Sequence, residues 1–128
     1  MRASGALGCI LLSACLVACE TRSIDMERLA RADHAEVRSN HDQLLASLDQ
    51  ERTRRVAALL SDETQGWEEP WYGTPVATVS VRFLEGGKSL GSVGVGDSFL
   101  TAGPAHLLSK DVAKGKCEAI LAAAGIAR

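Results

Sequence analysis

Residues 24–62 contain no glycine and no proline, and this run is rich in Ala, Leu, Arg, Glu and Gln. Because these residues favour helices and the two helix breakers are missing, the run predicts helix. Ser23 is placed to cap its start. Acid-to-base pairs such as Glu27 with Arg31 lie four residues apart, in the favourable order. The sequence therefore predicts a charged, solvated helical segment over residues 24–65.

An apolar residue recurs every eleven positions along this segment, at Met26, Val37, Leu48 and Leu59. Eleven residues over three turns keep these side chains on one face of a straight helix. A continuous helix over residues 24–62 would be about 58 Å long at 1.5 Å per residue. Because a narrow apolar stripe on a lone helix is marginal in water, the stripe needs a partner. It either folds back on its own domain, self-associates or docks on another protein.

The polar residues 39–43 are the place where this helix would end early. Asn40 is suited to cap a second helix, with Gln43 reaching back toward it. An αα-hairpin or a kink is therefore the alternative to a single long helix, and the sequence leaves both open.

Residues 66–75 contain two prolines, two glycines and three of the five aromatic side chains. This composition is typical of a structured loop. Trp67, Trp71 and Tyr72 are candidate binding residues, because Trp and Tyr are enriched at interaction hot spots. The alternative is that they complete a small hydrophobic core.

The remaining chain predicts a hairpin. Apolar and polar residues alternate over residues 76–84, Gly86 and Gly87 supply a two-residue turn, and a second strand returns over residues 89–95. In this register Leu90 lies opposite Phe83, with Ser92 and Gly94 on the same face. These small residues leave room for a helix or mark a bulge.

A short third strand is expected over residues 98–101, and a helix capped by Ser109 over residues 110–124. Residues 66–128 are thus expected to form a β-β-(β)-α domain. The predicted fold class is α+β: a long N-terminal helix or helical hairpin, then a small antiparallel hairpin or meander covered by the C-terminal helix.

The first 18 residues have the composition of a secretory leader. Arg2 and the amino terminus supply positive charge, and the apolar run over residues 6–18 is too short to span a bilayer. The run ends in Leu16-Val17-Ala18-Cys19, which resembles the lipobox of bacterial lipoprotein precursors. The resemblance implies that the chain is cut before Cys19, that the Cys19 thiol carries a diacylglyceryl group, and that the new amino group is acylated. Leu12-Ser13-Ala14-Cys15 fits the same pattern but would leave a shorter apolar run.

The resemblance makes residues 1–18 a signal peptide and residues 19–23 a lipid-bearing tether. A single acyl chain holds a protein marginally at a membrane, and two or more hold it stably. Glu20 follows the cysteine, whereas an aspartate there is the usual inner-membrane retention signal of the family. The resemblance therefore implies an outer-membrane anchor with the protein facing the periplasm.

Cys117 is the single thiol that remains once the leader is removed and Cys19 is acylated. No intramolecular disulfide can then form. Because Cys117 lies among the apolar positions of the expected C-terminal helix, the sequence predicts that it is buried.

The sequence offers no strong catalytic, metal or cofactor motif. His106, Ser109 and Asp111 have catalytic residue types, but nothing in their spacing aligns them, and capping explains the last two. His34 and His41 lack further metal ligands. Without Arg2, 13 basic residues face 16 acidic residues, which gives no indication of nucleic-acid binding.

The expected function is a non-enzymatic interaction or accessory role at the cell envelope, with membrane attachment through Cys19. Its partner would be an envelope protein or a second copy of the chain. The alternative is a small ligand-binding or inhibitor module, in which the aromatic loop and the glycine-rich strand form the site and the helix is a spacer.

Overall fold

The computed structural model describes residues 22–126, which are organised around an antiparallel sheet. Its strands are β1 (His34–Ser39), β2 (Leu44–Leu48), β3 (Val79–Glu85), β4 (Lys88–Val95), β5 (Phe99–Ala102) and β6 (Leu108–Asp111). The helices within these residues are α1 (Met26–Leu29), α2 (Gln50–Leu60) and α3 (Lys114–Ala123), and a 3₁₀ turn (Pro104–His106) precedes β6. The six strands lie side by side in the order β2-β1-β3-β4-β5-β6.

The predicted long N-terminal helix is wrong, and so is its helical-hairpin alternative. Residues 24–65 contain α1, the hairpin β1–β2 and α2. The chain does turn at residues 39–43, but the turn joins two strands. The Ser39 hydroxyl accepts hydrogen bonds there from the backbone N–H groups of His41 and Gln43, both at 3.2 Å. The fold is therefore mostly sheet, with short helices.

The burial of β1 shows why helix propensity misled the prediction. Ala35 and Val37 are fully buried, whereas Glu36 and Arg38 alternate with them and are only partly covered. Burial thus alternates with a period of two, which is typical of a strand, although the charged residues of this segment favour helix locally. Because β1 pairs along its whole length with β3, tertiary pairing overrides the local preference.

The four residues of the eleven-residue period all face the core, but from four different elements. Met26 lies in α1, Val37 in β1 and Leu48 in β2, and all three are buried. Leu59 lies in α2 and packs against the core while partly buried. These residues therefore do not share a helix face.

Helices α2 and α3 pack against each other and cover one face of the sheet. The Asp49 carboxylate caps α2 by accepting a hydrogen bond from the backbone N–H of Arg52 at 2.9 Å. The expected C-terminal helix is present but starts later than predicted, because Ser109 belongs to β6 and α3 begins at Lys114. Cys117 in α3 is buried, as the sequence predicts.

The β3–β4 hairpin lies where the alternation placed it, but its register differs. Phe83 pairs with Gly91, because an irregularity after Phe83 leaves Leu90 as an extra residue. Ser92 and Gly94 consequently pair with Arg82 and Ser80. Since side chains alternate between the faces of a strand, Ser92 and Gly94 lie on the face opposite to Phe83 and the helices.

The two edges of the sheet differ. Glu68 forms two backbone hydrogen bonds with Ser109 of β6, of 2.9 and 2.8 Å, and Arg22 forms two with the adjacent Trp67. We call Trp67 and Glu68 the edge strap. At the opposite edge, no strand within residues 22–126 pairs with the outer side of β2. Strand β2 carries a bulge at Leu45, because Leu44 and Ala46 pair with the consecutive residues Arg38 and Val37 of β1.

A charge cluster joins the end of α2 to β6 and α3. The Glu63 carboxylate lies 2.6 Å from Lys110 Nζ and 3.4 Å from Lys116 Nζ, and Lys116 also donates to Asp62 at 2.8 Å. The hydrogen bond from Lys116 lowers the pKa of Asp62. Burial alone would lower the pKa of Lys116, but the hydrogen bond to Asp62 and the charges of Asp62 and Glu63 raise it.

Two leucines of β2 test this fold. Leu48 is 1% exposed and Leu45 is 46% exposed. We expect Leu48→Ala to lower the free energy of unfolding by about 2–5 kcal/mol, because it leaves a cavity in the core. Leu45→Ala should change it by less than about 0.5 kcal/mol. Urea unfolding of both variants makes the comparison, and equal effects would contradict the placement of β2.

Candidate binding site on the open sheet face

The sheet face opposite to α2 and α3, which we call the open face, carries polar side chains. The register places two rows across it: Glu36, Arg82 and Ser92, then Arg38, Ser80, Gly94 and Thr101. Two segments cross above these rows, residues 74–77 and the 3₁₀ turn with Leu107. The sequence predicted this polar face for β3 but not what covers it.

A cavity of about 470 Å³ lies on the open face between these two segments and the β1–β2 turn. Ser80 and Gly94 of the sheet contribute to its lining. The Thr74 hydroxyl donates to the Leu107 carbonyl at 2.7 Å, which ties the two crossing segments together. The backbone N–H of Asn40 donates to the Thr78 carbonyl at 3.1 Å. These bonds hold the walls of the cavity in fixed positions.

Gly94 allows the crossing segment to reach the sheet. A Cβ atom at this position would lie 2.7 Å from the Ala77 Cβ and closer still to the Thr101 hydroxyl. Cβ atoms essentially never approach other atoms this closely, so a side chain here would push the crossing segment away. The glycine-rich strand therefore contributes to the site through its lack of a side chain.

His106 fastens the 3₁₀ turn to the open face. Its Nε2 lies 2.8 Å from the Ser92 hydroxyl and its Nδ1 lies 2.9 Å from the Thr101 hydroxyl. Because each hydroxyl can donate or accept, either neutral tautomer satisfies both ring nitrogens. Burial lowers the pKa of His106, so the ring is held neutral. The imidazole forms part of the cavity wall.

The backbone of the 3₁₀ turn is strained. Ala105 has φ 56° and His106 has φ 53°, the left-handed region that residues other than glycine rarely adopt. Such a conformation costs on the order of 1–3 kcal/mol per residue and persists only where surrounding contacts hold it. The two hydrogen bonds of the imidazole supply such contacts.

The sequence grouped His106 with Ser109 and Asp111, but the structure joins it to Ser92 and Thr101. Ser109 is engaged by the edge strap, and Asp111 is exposed at the end of β6. Strand alternation alone could have placed Ser92 on a polar face. No local pattern reveals that the turn folds back to bring His106 above it.

The three candidate aromatic residues are divided between core and surface. Trp67 is fully buried, and its Nε1–H donates to the Glu63 carbonyl at 2.8 Å. Trp71 and Tyr72 are 94% and 72% exposed, and their rings meet edge to face at 5.7 Å between centroids. They form the corner of a tight turn, closed by a 3.1 Å hydrogen bond from Gly73 N–H to the Pro70 carbonyl. We call Trp71 and Tyr72 the aromatic tip.

Cys19 and the leader lie outside the described residues, so lipidation remains a prediction. Over residues 22–126, no group of three or more His, Cys, Asp and Glu side chains is arranged to hold a metal ion. No helix in that range has the length and apolar character needed to cross a membrane.

No protein-family model matches the chain, and no curated protein or solved structure matches it either. The interpretation of the site therefore rests on its geometry and on the residues that form it.

Two glycines test the close approach at the cavity. Gly94→Ala should lower the free energy of unfolding by about 1–3 kcal/mol, because the new methyl group overlaps Ala77 and Thr101. Gly115→Ala is the control. Among the described residues, its new methyl group would meet nothing within 4 Å beyond its chain neighbours and the nearby backbone of α3, and alanine favours α3 by up to about 1 kcal/mol. Thermal and urea unfolding measure both, and a neutral Gly94→Ala would contradict the described contact.

The neutral His106 predicts a pH dependence of stability. The unfolded chain, with a histidine pKa near 6.5, binds the proton more tightly than the folded protein. The free energy of unfolding therefore has its full value above this pKa. It decreases as the pH falls below this pKa, because the unfolded chain takes up the proton first. Between about pH 7.5 and about pH 5, His106→Gln should therefore lose less stability than the wild-type protein. Stability is measured by urea unfolding across this pH range, and identical profiles for His106→Gln and the wild type would contradict the prediction.

Proposed function

We propose that this protein is a lipid-anchored protein of a bacterial envelope and that it acts by binding, as an interaction or accessory subunit. The cavity on the open face carries the proposal. Its walls are fixed by hydrogen bonds, and Val76, which is 78% exposed, lies at its rim together with the partly exposed Leu107. An apolar rim around a preformed cavity suits the side chain of a protein partner.

The polar groups of the cavity complement this apolar rim. Asn40 and Asp42 project from the β1–β2 turn, and Ser80 and His106 add a hydroxyl and a neutral imidazole. A few polar groups among apolar walls fix the orientation of what is bound. They are suited to the backbone amides that flank an inserted apolar side chain.

The anchor part of the proposal is supported by the lipobox resemblance at Cys19. Acyl chains on this residue would hold the protein at the membrane without any spanning helix. Glu20 supports residence at the outer membrane, facing the periplasm.

A small ligand is the second candidate occupant. The cavity volume of about 470 Å³ falls within the roughly 300–1,000 Å³ that is usual for small-molecule sites. Thr74 and Pro75, at the end of the aromatic loop, and Gly94 of β4 line it, whereas Trp71 and Tyr72 do not.

Crosslinked capture from the native cell envelope tests the proposal. The tagged protein should recover a stoichiometric protein partner, identified by mass spectrometry. Val76→Asp should reduce the recovered partner at least about tenfold, because a charge at the rim opposes apolar insertion. Cys19→Ala should lose the partner through loss of membrane positioning.

The matched control is Ala119→Asp, which places the same charge at an exposed position of α3, on the helix-covered side of the sheet. It should retain the partner. Retention by Val76→Asp would exclude the cavity as the contact. Recovery of the tagged chain crosslinked only to itself would make the partner a second copy of the chain. Recovery of the tagged chain alone would contradict the interaction role and favour the small ligand.

A further inference from the structure

The aromatic tip is not part of the cavity, yet it exposes two large rings. Trp71 and Tyr72 do not line the cavity, whereas the segment that follows them does. Neither ring is packed into the core, and the tight turn between Pro70 and Gly73 presents both outward. Adjacent large rings that are exposed to solvent can mark a site of interaction with a protein or a membrane.

The position of Arg22 relates this tip to the proposed lipid anchor. Arg22 is three residues beyond Cys19, and its backbone pairs with Trp67 in the edge strap. Because successive Cα atoms are 3.8 Å apart, Cys19 lies at most about 11 Å from Arg22. A domain of this size has a radius of gyration of about 13 Å. The tether is thus too short to lift the domain away from the bilayer, and the 58 Å spacer expected from the sequence does not exist.

The same geometry keeps the aromatic tip near the lipid. The tether holds Arg22 and the edge strap within about 11 Å of the lipid-bearing Cys19. Trp71 follows Trp67 by four residues, a span of at most about 15 Å. The aromatic tip is therefore held close to the membrane by the anchor.

We propose that Trp71 and Tyr72 insert into the interfacial region of the bilayer to which the protein is anchored. This inference rests on the lipid anchor at Cys19 in the proposed function. Trp and Tyr concentrate at membrane interfaces, because their rings are apolar and their N–H and O–H groups remain hydrated there. With the lipid as one attachment and the aromatic tip as a second, the domain can adopt fewer orientations at the membrane than with the lipid alone.

The charges around the tip indicate which lipids it contacts. Glu68 and Glu69 precede the turn, and Glu69 lies 3.9 Å from the guanidinium of Arg22. This neighbourhood offers no excess of positive charge to attract anionic headgroups. The contact is therefore made by the aromatic rings and does not depend on anionic lipid.

Fluorescence quenching by brominated lipid tests the inference, because the chain has one exposed and one buried tryptophan. The mature protein is purified from membranes, its mass is checked for acylation of Cys19, and it is placed in phosphatidylcholine vesicles with or without brominated acyl chains. Bromine should quench roughly half of the tryptophan emission, since it reaches Trp71 and not Trp67. Trp71→Phe is the matched variant, which keeps an aromatic ring and should abolish the quenching.

Each other outcome has a separate meaning. Acylated protein whose emission bromine does not quench would overturn the inference and leave the anchor intact. Quenching that requires added phosphatidylglycerol, an anionic lipid, would contradict the inference that the contact does not depend on lipid charge. Protein without lipid on Cys19 would overturn the anchor in the proposed function, and the inference with it. Loss of the captured partner in Trp71→Phe, without bromine quenching in the wild type, would assign the tip to the protein partner instead.

Discussion

The pairing of β1 with β3 is the interaction on which the rest of the structure depends. It joins Ala35 to Phe83 and Val37 to Val81, across more than forty residues of chain. A two-stranded hairpin such as β1–β2 is marginal by itself in water. Docked on β3, the same hairpin completes the sheet, positions α2 over the core and supplies the turn that forms one wall of the cavity.

Strand alternation divides the sheet into a face that stabilises the protein and a face free to bind. The helix-covered face holds the large apolar side chains, and the open face holds hydroxyls, charges and Gly94. Because the core is formed on the other side, the open face can accommodate the left-handed backbone at Ala105 and His106. The free-energy cost of this strain is small compared with the free energy gained by burying apolar side chains throughout the core.

Secondary-structure elements that are marked by a local residue pattern could be predicted from the sequence. Elements that depend on contacts between distant parts of the chain could not. The β3–β4 hairpin was predictable, since alternation and two adjacent glycines mark it. β1 was not, because only Ala35 and Val37 carry its alternation and its partner strand lies far along the chain. Trp67 and Trp71 share a residue type and a loop, yet Trp67, whose backbone pairs with Arg22, is buried, and Trp71, at the tight turn, is exposed. His106 meets Ser92 only because a strained turn folds back, which no spacing encodes.

The unequal edges of the sheet set a limit on how copies of this chain can assemble. An open sheet edge invites another strand. Within residues 22–126, the strap lies against the outer side of β6 and no strand pairs with the outer side of β2, so a further strand would be added at β2. Two copies that joined at β2 would use up both open edges and stop. Growth into a fibre needs two free edges per copy, and the part of the chain that the structure describes has one.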